Sequence, residues 1–70
     1  MTVAMTHGSA DTTATALQVL IVDDSQTQRT RVRSALERAG LTVVGEAEDG
    51  AQALTQAAAH HPDVVLMDLR

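Results

Sequence analysis

Apolar residues along the chain fall into three short runs, Leu17 to Val22, Leu41 to Ala47 and Val64 to Met67, separated by two stretches in which apolar and polar residues recur at helical spacing. A strand buried on both faces shows as an unbroken apolar run, which predicts strands over 17–22 and 64–68. The middle run, Leu-Thr-Val-Val-Gly-Glu-Ala, is less uniform. Its Gly45 marks a weaker strand that suits a sheet edge or a close backbone approach. Between the first two runs, Ser25 can cap a helix whose Val32, Ala35, Leu36 and Ala39 fall on one face, and Gly40 can end it in the left-handed conformation. That predicts a helix over about 26–39. Glu48-Asp49-Gly50 forms a turn, and Ala51 to His60 is a second helix with Leu54, Ala57 and Ala58 inward, stopped by Pro62.

The predicted order is therefore β-α-β-α-β, an α/β arrangement with a parallel sheet. Two of its strands end abruptly in acid: Val22 is followed by Asp23-Asp24, and Met67 by Asp68. In open α/β sheets the ligand site lies beyond the carboxyl ends of the strands. Strands 17–22 and 64–68 side by side would bring three aspartates to one place. Such a cluster repels itself and is best tolerated around a hard cation such as Mg²⁺, which prefers oxygen ligands.

Composition narrows the chemistry. Seventy residues bury only a modest core, and residues 1–16, rich in Thr, Ala, Ser and Gly, have no periodicity and are expected to be a disordered leader. The leader has no cationic n-region and no apolar h-region, and no run approaches membrane-spanning length, so a cytoplasmic location is the default expectation. The absence of cysteine removes thiol chemistry and disulfides, and the absence of aromatics removes base-stacking platforms. A net charge of −4 without a single lysine argues against a nucleic-acid grip by these residues. Arg29, Arg31, Arg33 and Arg38 are expected on the solvated face of the first helix. His60 and His61, in the last turn of the second, lack the further ligands a zinc site needs and are not expected to donate phosphate.

Val19-Leu20-Ile21-Val22-Asp23-Asp24-Ser25, Gly45-Glu46-Ala47-Glu48-Asp49-Gly50 and Pro62-Asp63-Val64-Val65-Leu66-Met67-Asp68-Leu69-Arg70 together strongly resemble the receiver domain of bacterial two-component response regulators. The resemblance covers residues 17–70, the first half of such a domain. It implies a flavodoxin-like, doubly wound parallel sheet, here truncated to strand order 2-1-3, with the site at the switch point between strands 1 and 3. It also implies that Asp68 is the phosphoacceptor, that Asp23 and Asp24 hold Mg²⁺, and that the backbone carbonyl of Arg70 is a further metal ligand. The implied partner is a sensor histidine kinase or phosphotransfer protein, with receiver–receiver self-association as a further expectation. The domain is expected to be a phospho-accepting signalling module rather than an enzyme, in the amino-terminal half of a transcriptional regulator. DNA contact would then belong to an output domain outside these residues.

Two departures from the family pattern qualify that expectation. The family also uses a Ser or Thr after strand 4 and a Lys after strand 5, and neither position is reached here. The third predicted strand would also present an open apolar edge where strand 4 pairs, which invites self-association. The alternative is thus a remnant that no longer accepts phosphate and acts only through protein contacts. A metal-dependent phosphatase is disfavoured, since Asp68-Leu69-Arg70 lacks the Asp-x-Asp that such an enzyme needs.

Overall fold

The computed structural model of the chain describes residues 2–6 and 17–68. Its elements are β1 (Thr2–Thr6), β2 (Gln18–Val22), α1 (Gln26–Arg38), β3 (Thr42–Ala47), α2 (Gly50–His60) and β4 (Val64–Asp68). They form one sheet in the order β1-β4-β2-β3. β2 runs parallel to both β3 and β4, so the three strands expected from the apolar runs stand in the anticipated 2-1-3 order of a truncated flavodoxin-like fold. β3 takes the edge.

Central position explains the composition of β2. Flanked by a strand on each side, its Val19, Leu20, Ile21 and Val22 are all buried, Leu20 completely. Alternation along the strand sends Leu20 and Val22 to the face where Ala47, Ala53 and Val65 complete the core, with Ala57 and Met67 packed against it. Ile21 faces the other way and shares a cleft with Val32 of α1 and Leu66 of β4.

The start of the β2–β4 pair is locked by a reciprocal contact. The Asp63 amide donates to the Gln18 carbonyl at 2.8 Å, and the Asp63 carboxylate accepts from the Gln18 amide at 2.8 Å. From there the register runs Val19↔Val64 to Val22↔Met67, so Asp23 and Asp68 are the next residues on adjacent strands.

Both helices end as their caps dictate. Gly40, just beyond α1, has φ +88°, the left-handed conformation foreseen for it. His61 also adopts a left-handed conformation, φ 47°, as the cap of α2, and Pro62 after it is fully buried. Gly45 is a site of close approach, since a Cβ there would lie 2.5 Å from Gln56 Oε1.

Four expectations are corrected. Residues 2–6, assigned to a disordered leader spanning 1–16, form β1, which pairs antiparallel with β4 from Thr2↔Asp68 to Thr6↔Val64. The edge of β4 supplies the reason: an apolar strand with unpaired backbone groups recruits whatever extended segment can reach it. The same pairing means that the edge expected to stand open is covered. Residues 7–16 of that leader lie outside the described residues.

The inward face of α2 also differs. Ala53 is buried and Ala57 half-buried, whereas Leu54 is 76% exposed and Ala58 is exposed. Alanine at 53 lets the helix sit close over Leu20, Val22 and Ala47, and that close fit sets its rotation. α1 buries no residue fully, and Ala35 and Ala39 of its anticipated face are exposed.

A core this small supplies only about 3–5 kcal/mol, so one deep cavity is enough to remove most of it. Leu20→Ala should lower the unfolding free energy by about 2–5 kcal/mol, and Leu54→Ala by no more than about 0.5 kcal/mol. Urea unfolding followed by far-ultraviolet circular dichroism reads both, the chain having no aromatic reporter. Deleting residues 2–6 should expose the β4 edge and produce concentration-dependent association in sedimentation experiments. A deletion variant that stays monomeric would show that β1 does not protect that edge.

Candidate functional site

The cleft at the carboxyl end of the sheet is built from three strand ends. Val22, Asp23 and Asp24 come from the end of β2, Met67 and Asp68 from β4, and Glu48, Asp49 and Gly50 from the turn between β3 and α2. It encloses about 220 Å³, and five of these eight lining residues are acidic. The β2–β4 register thus brings Asp23, Asp24 and Asp68 to a common cleft, as the two strand endings predict. Glu48 and Asp49 were not singled out as site residues. Their signal was their place in the turn directly after a parallel strand, the same location that identified the aspartates.

Each carboxylate sits in a different environment. Asp23 is buried, 6% exposed, and its Oδ1 accepts from the Ser25 amide at 2.8 Å, a turn that leads the chain into α1. Its own amide donates to the Ala47 carbonyl at 3.0 Å, extending the β2–β3 ladder by one bond. Asp24 is exposed at the rim and Asp68 is half-buried. Asp49 caps α2, accepting from the Gln52 amide at 2.8 Å, while Gln52 Nε2 donates to Glu48 Oε1 at 3.1 Å. Helix N-termini favour negative charge, so the two helices that open beside the cleft help hold its acids.

The donor chemistry fits a hard cation, being all carboxylate oxygen. Among the described residues, however, no three acidic or imidazole groups gather closely enough to hold a metal ion together. The structure instead gives a shared cleft in which Asp23 turns its Oδ1 to the Ser25 amide. Mg²⁺ tolerates such an arrangement, because it characteristically keeps several waters and takes only one or two carboxylates. The Arg70 carbonyl, the remaining expected ligand, lies outside the described residues.

The arginines depart from expectation. Arg29 is not on a solvated face: its side chain is 13% exposed, its Nε donates to Glu46 Oε1 at 3.0 Å, and its Nη1 donates to the Asp23 carbonyl. Arg33 Nε donates to the other Glu46 oxygen at 2.7 Å. Arg31 and Arg38 are exposed as expected, and so are His60 and His61.

The model of the response regulator receiver domain matches residues 19–70, which includes all eight residues that line the cleft. The chain belongs to the response regulator receiver family. Among similar receiver proteins, the chemotaxis protein CheY of Bacillus subtilis is 44% identical over 54 residues, 77% of this chain and 45% of that protein. A Pseudomonas aeruginosa protein whose name describes a transcriptional regulator is 48% identical over 52 residues, 74% of this chain and 25% of its own length. A protein-glutamate methylesterase/protein-glutamine glutaminase of Alkalilimnicola ehrlichii is 48% identical over 54 residues, 76% of this chain and 14% of its length. The chain thus spans less than half the length of these curated relatives. No solved structure matches it. Receivers are signalling domains of two-component and chemotaxis systems, and no helix among the described residues is long and apolar enough to cross a membrane.

The two helix caps beside the cleft differ in geometry. Ser25 Oγ lies 3.3 Å from the Gln28 amide, against 2.8 Å for Asp49 and Gln52. Asp49→Ala should therefore destabilise the domain by about 1 kcal/mol, within the range for lost N-caps, and Ser25→Ala by less. Urea midpoints of the two variants check the order.

Proposed function

We propose that this receiver segment accepts a phosphoryl group on Asp68 from a phosphohistidine of a sensor histidine kinase or phosphotransfer protein, in the cytoplasm and with Mg²⁺. The observation that carries the reading is the β2–β4 register, which sets the Asp68 strand end beside Asp23 and Asp24 in one acidic cleft. Family membership supports the chemistry.

In this reading a carboxylate oxygen of Asp68 attacks the phosphorus of the donor. The new O–P bond forms as the donor's P–N bond breaks, and the imidazole leaves with the electron pair and takes up a proton. The product is an acyl phosphate on Asp68. Phosphoryl transfer passes through a loose transition state whose charge spreads over the phosphoryl oxygens, so the protein has chiefly to position the reactants and offset that charge. Bound Mg²⁺ would supply the positive charge. Asp24 and Asp68 would hold it directly and Asp23 through water, with the Arg70 carbonyl as a further ligand. The Ser25 amide holds the Asp23 carboxylate, and Asp24 follows it at the rim of the cleft.

More than one kind of output is compatible with the same receiver chemistry. A transcriptional output fits the Pseudomonas relative, and an esterase output fits the methylesterases. Self-association of receivers remains part of the proposal, through surfaces other than the covered β4 edge.

The test offers acetyl phosphate with Mg²⁺ and reads the intact mass. One added phosphoryl group is expected on the unaltered chain, absent in Asp68→Ala and absent when the metal is chelated. Labelling that persists in Asp68→Ala, or that ignores Mg²⁺, would overturn the assignment.

A further inference from the structure

We infer that Arg29 is a positioning residue for the acidic cleft, setting its affinity for a divalent cation by clamping the peptide that joins Asp23 to Asp24. The inference rests on the proposed binding of Mg²⁺ in the cleft and deepens it. Arg29 lines no part of the cleft itself and reaches it from the side.

Hydrogen bonds hold Asp23 at its amide, its carboxylate and its carbonyl. Its amide donates to the Ala47 carbonyl, its carboxylate accepts from the Ser25 amide, and its carbonyl accepts from Arg29 Nη1. The first two hold the residue to β3 and to the start of α1. The third acts on the next peptide: the Asp23 carbonyl and the Asp24 amide share one rigid plane, so fixing the oxygen fixes the direction in which Asp24 leaves. Asp24 is exposed at the rim.

The clamp is itself held in place. Arg29 Nε bonds Glu46 Oε1, and Glu46 Oε2 is taken by Arg33 Nε, so one carboxylate on β3 orients two guanidinium groups one helical turn apart. Arg33 adds a weaker i,i+4 contact to Glu37 at 3.7 Å. Such a partly buried ion pair adds little net stability once desolvation is counted, so geometry is the better account of the arrangement. Only arginine can supply it: a planar fork with fixed donor directions reaches the Asp23 carbonyl and Glu46 together, whereas a lysine ammonium is a single point on a flexible stem. The positive charge behind Asp23 also offsets repulsion among the cleft carboxylates, and the substitution by lysine separates charge from geometry.

Isothermal titration with MgCl₂ tests this on the whole chain and on Arg29→Lys, Arg29→Met, Glu46→Gln and, as a charge-loss control, the exposed Arg31→Met. Outer-shell partners of metal ligands typically contribute about 10–100-fold in affinity. Arg29→Lys and Glu46→Gln should each weaken Mg²⁺ binding by about tenfold or more on that scale, with an unchanged far-ultraviolet spectrum, while Arg31→Met binds as the unaltered chain does. Unaltered affinity in folded Arg29→Lys and Glu46→Gln would overturn the inference, as would losses that simply follow loss of the folded spectrum. Full rescue by lysine would assign Arg29 a charge role and equally overturn the positioning role. If the unaltered chain fails to bind Mg²⁺, the proposed function itself falls.

Discussion

Parallel pairing of β2 with β4 is the constraint on which the rest of the structure depends. Asp63 and Gln18 exchange two hydrogen bonds at the start of the pair, and every later residue takes its partner from that anchor. A slip of one residue would turn Leu20 and Val22 away from the core face and would offset Asp23 from Asp68. One register therefore satisfies packing and chemistry together. The apolar residues that bury the strands and the carboxylates that end them occupy consecutive positions, so the core specifies the site.

A small domain with this design has to manage its edges. β3 forms one edge of the sheet, and its Gly45 lets α2 approach closely. The opposite edge would leave β4 half-paired, and β1 covers it in antiparallel fashion, drawn from a segment otherwise poor in structural signals. Its register sets Thr2 against Asp68, so the covering strand ends level with the acidic cleft. The segment that protects the edge therefore also borders the strand end that carries the proposed chemistry.

Much of this was legible in the sequence because its signals were local. Leu20-Ile21-Val22 and Val64-Val65-Leu66 are uninterrupted apolar runs, and Asp23, Asp24 and Asp68 follow them directly, so strands and strand-end acids emerge without knowledge of the tertiary fold. Gly40 and Pro62 marked helix ends for equally local reasons. What stayed hidden was decided at a distance. Thr2–Thr6 is a strand only because β4 lies next to it in space. Leu54 looks like a core residue by type, yet α2 turns toward the sheet on Ala53, whose small side chain permits the closest fit. Arg29 belongs to a run of helix arginines that resembles a solvated face, and only Glu46 on β3 and the Asp23 carbonyl distinguish it. Asp23 Oδ1 also serves the turn into α1, a use that spacing alone does not show.

The central claim is that two strand ends distant in sequence form one cation-binding cleft, and paramagnetic broadening tests it most directly. Mn²⁺, a hard divalent ion with the same preference for oxygen ligands as Mg²⁺, would be added in small amounts to isotope-labelled protein while amide signals are recorded. Signals of Asp24, Gly50 and Asp68 are expected to broaden together and to recover together when Mg²⁺ is added in excess. Broadening confined to one strand end, or centred on acids outside the cleft such as Glu37 or Asp63, would contradict that claim.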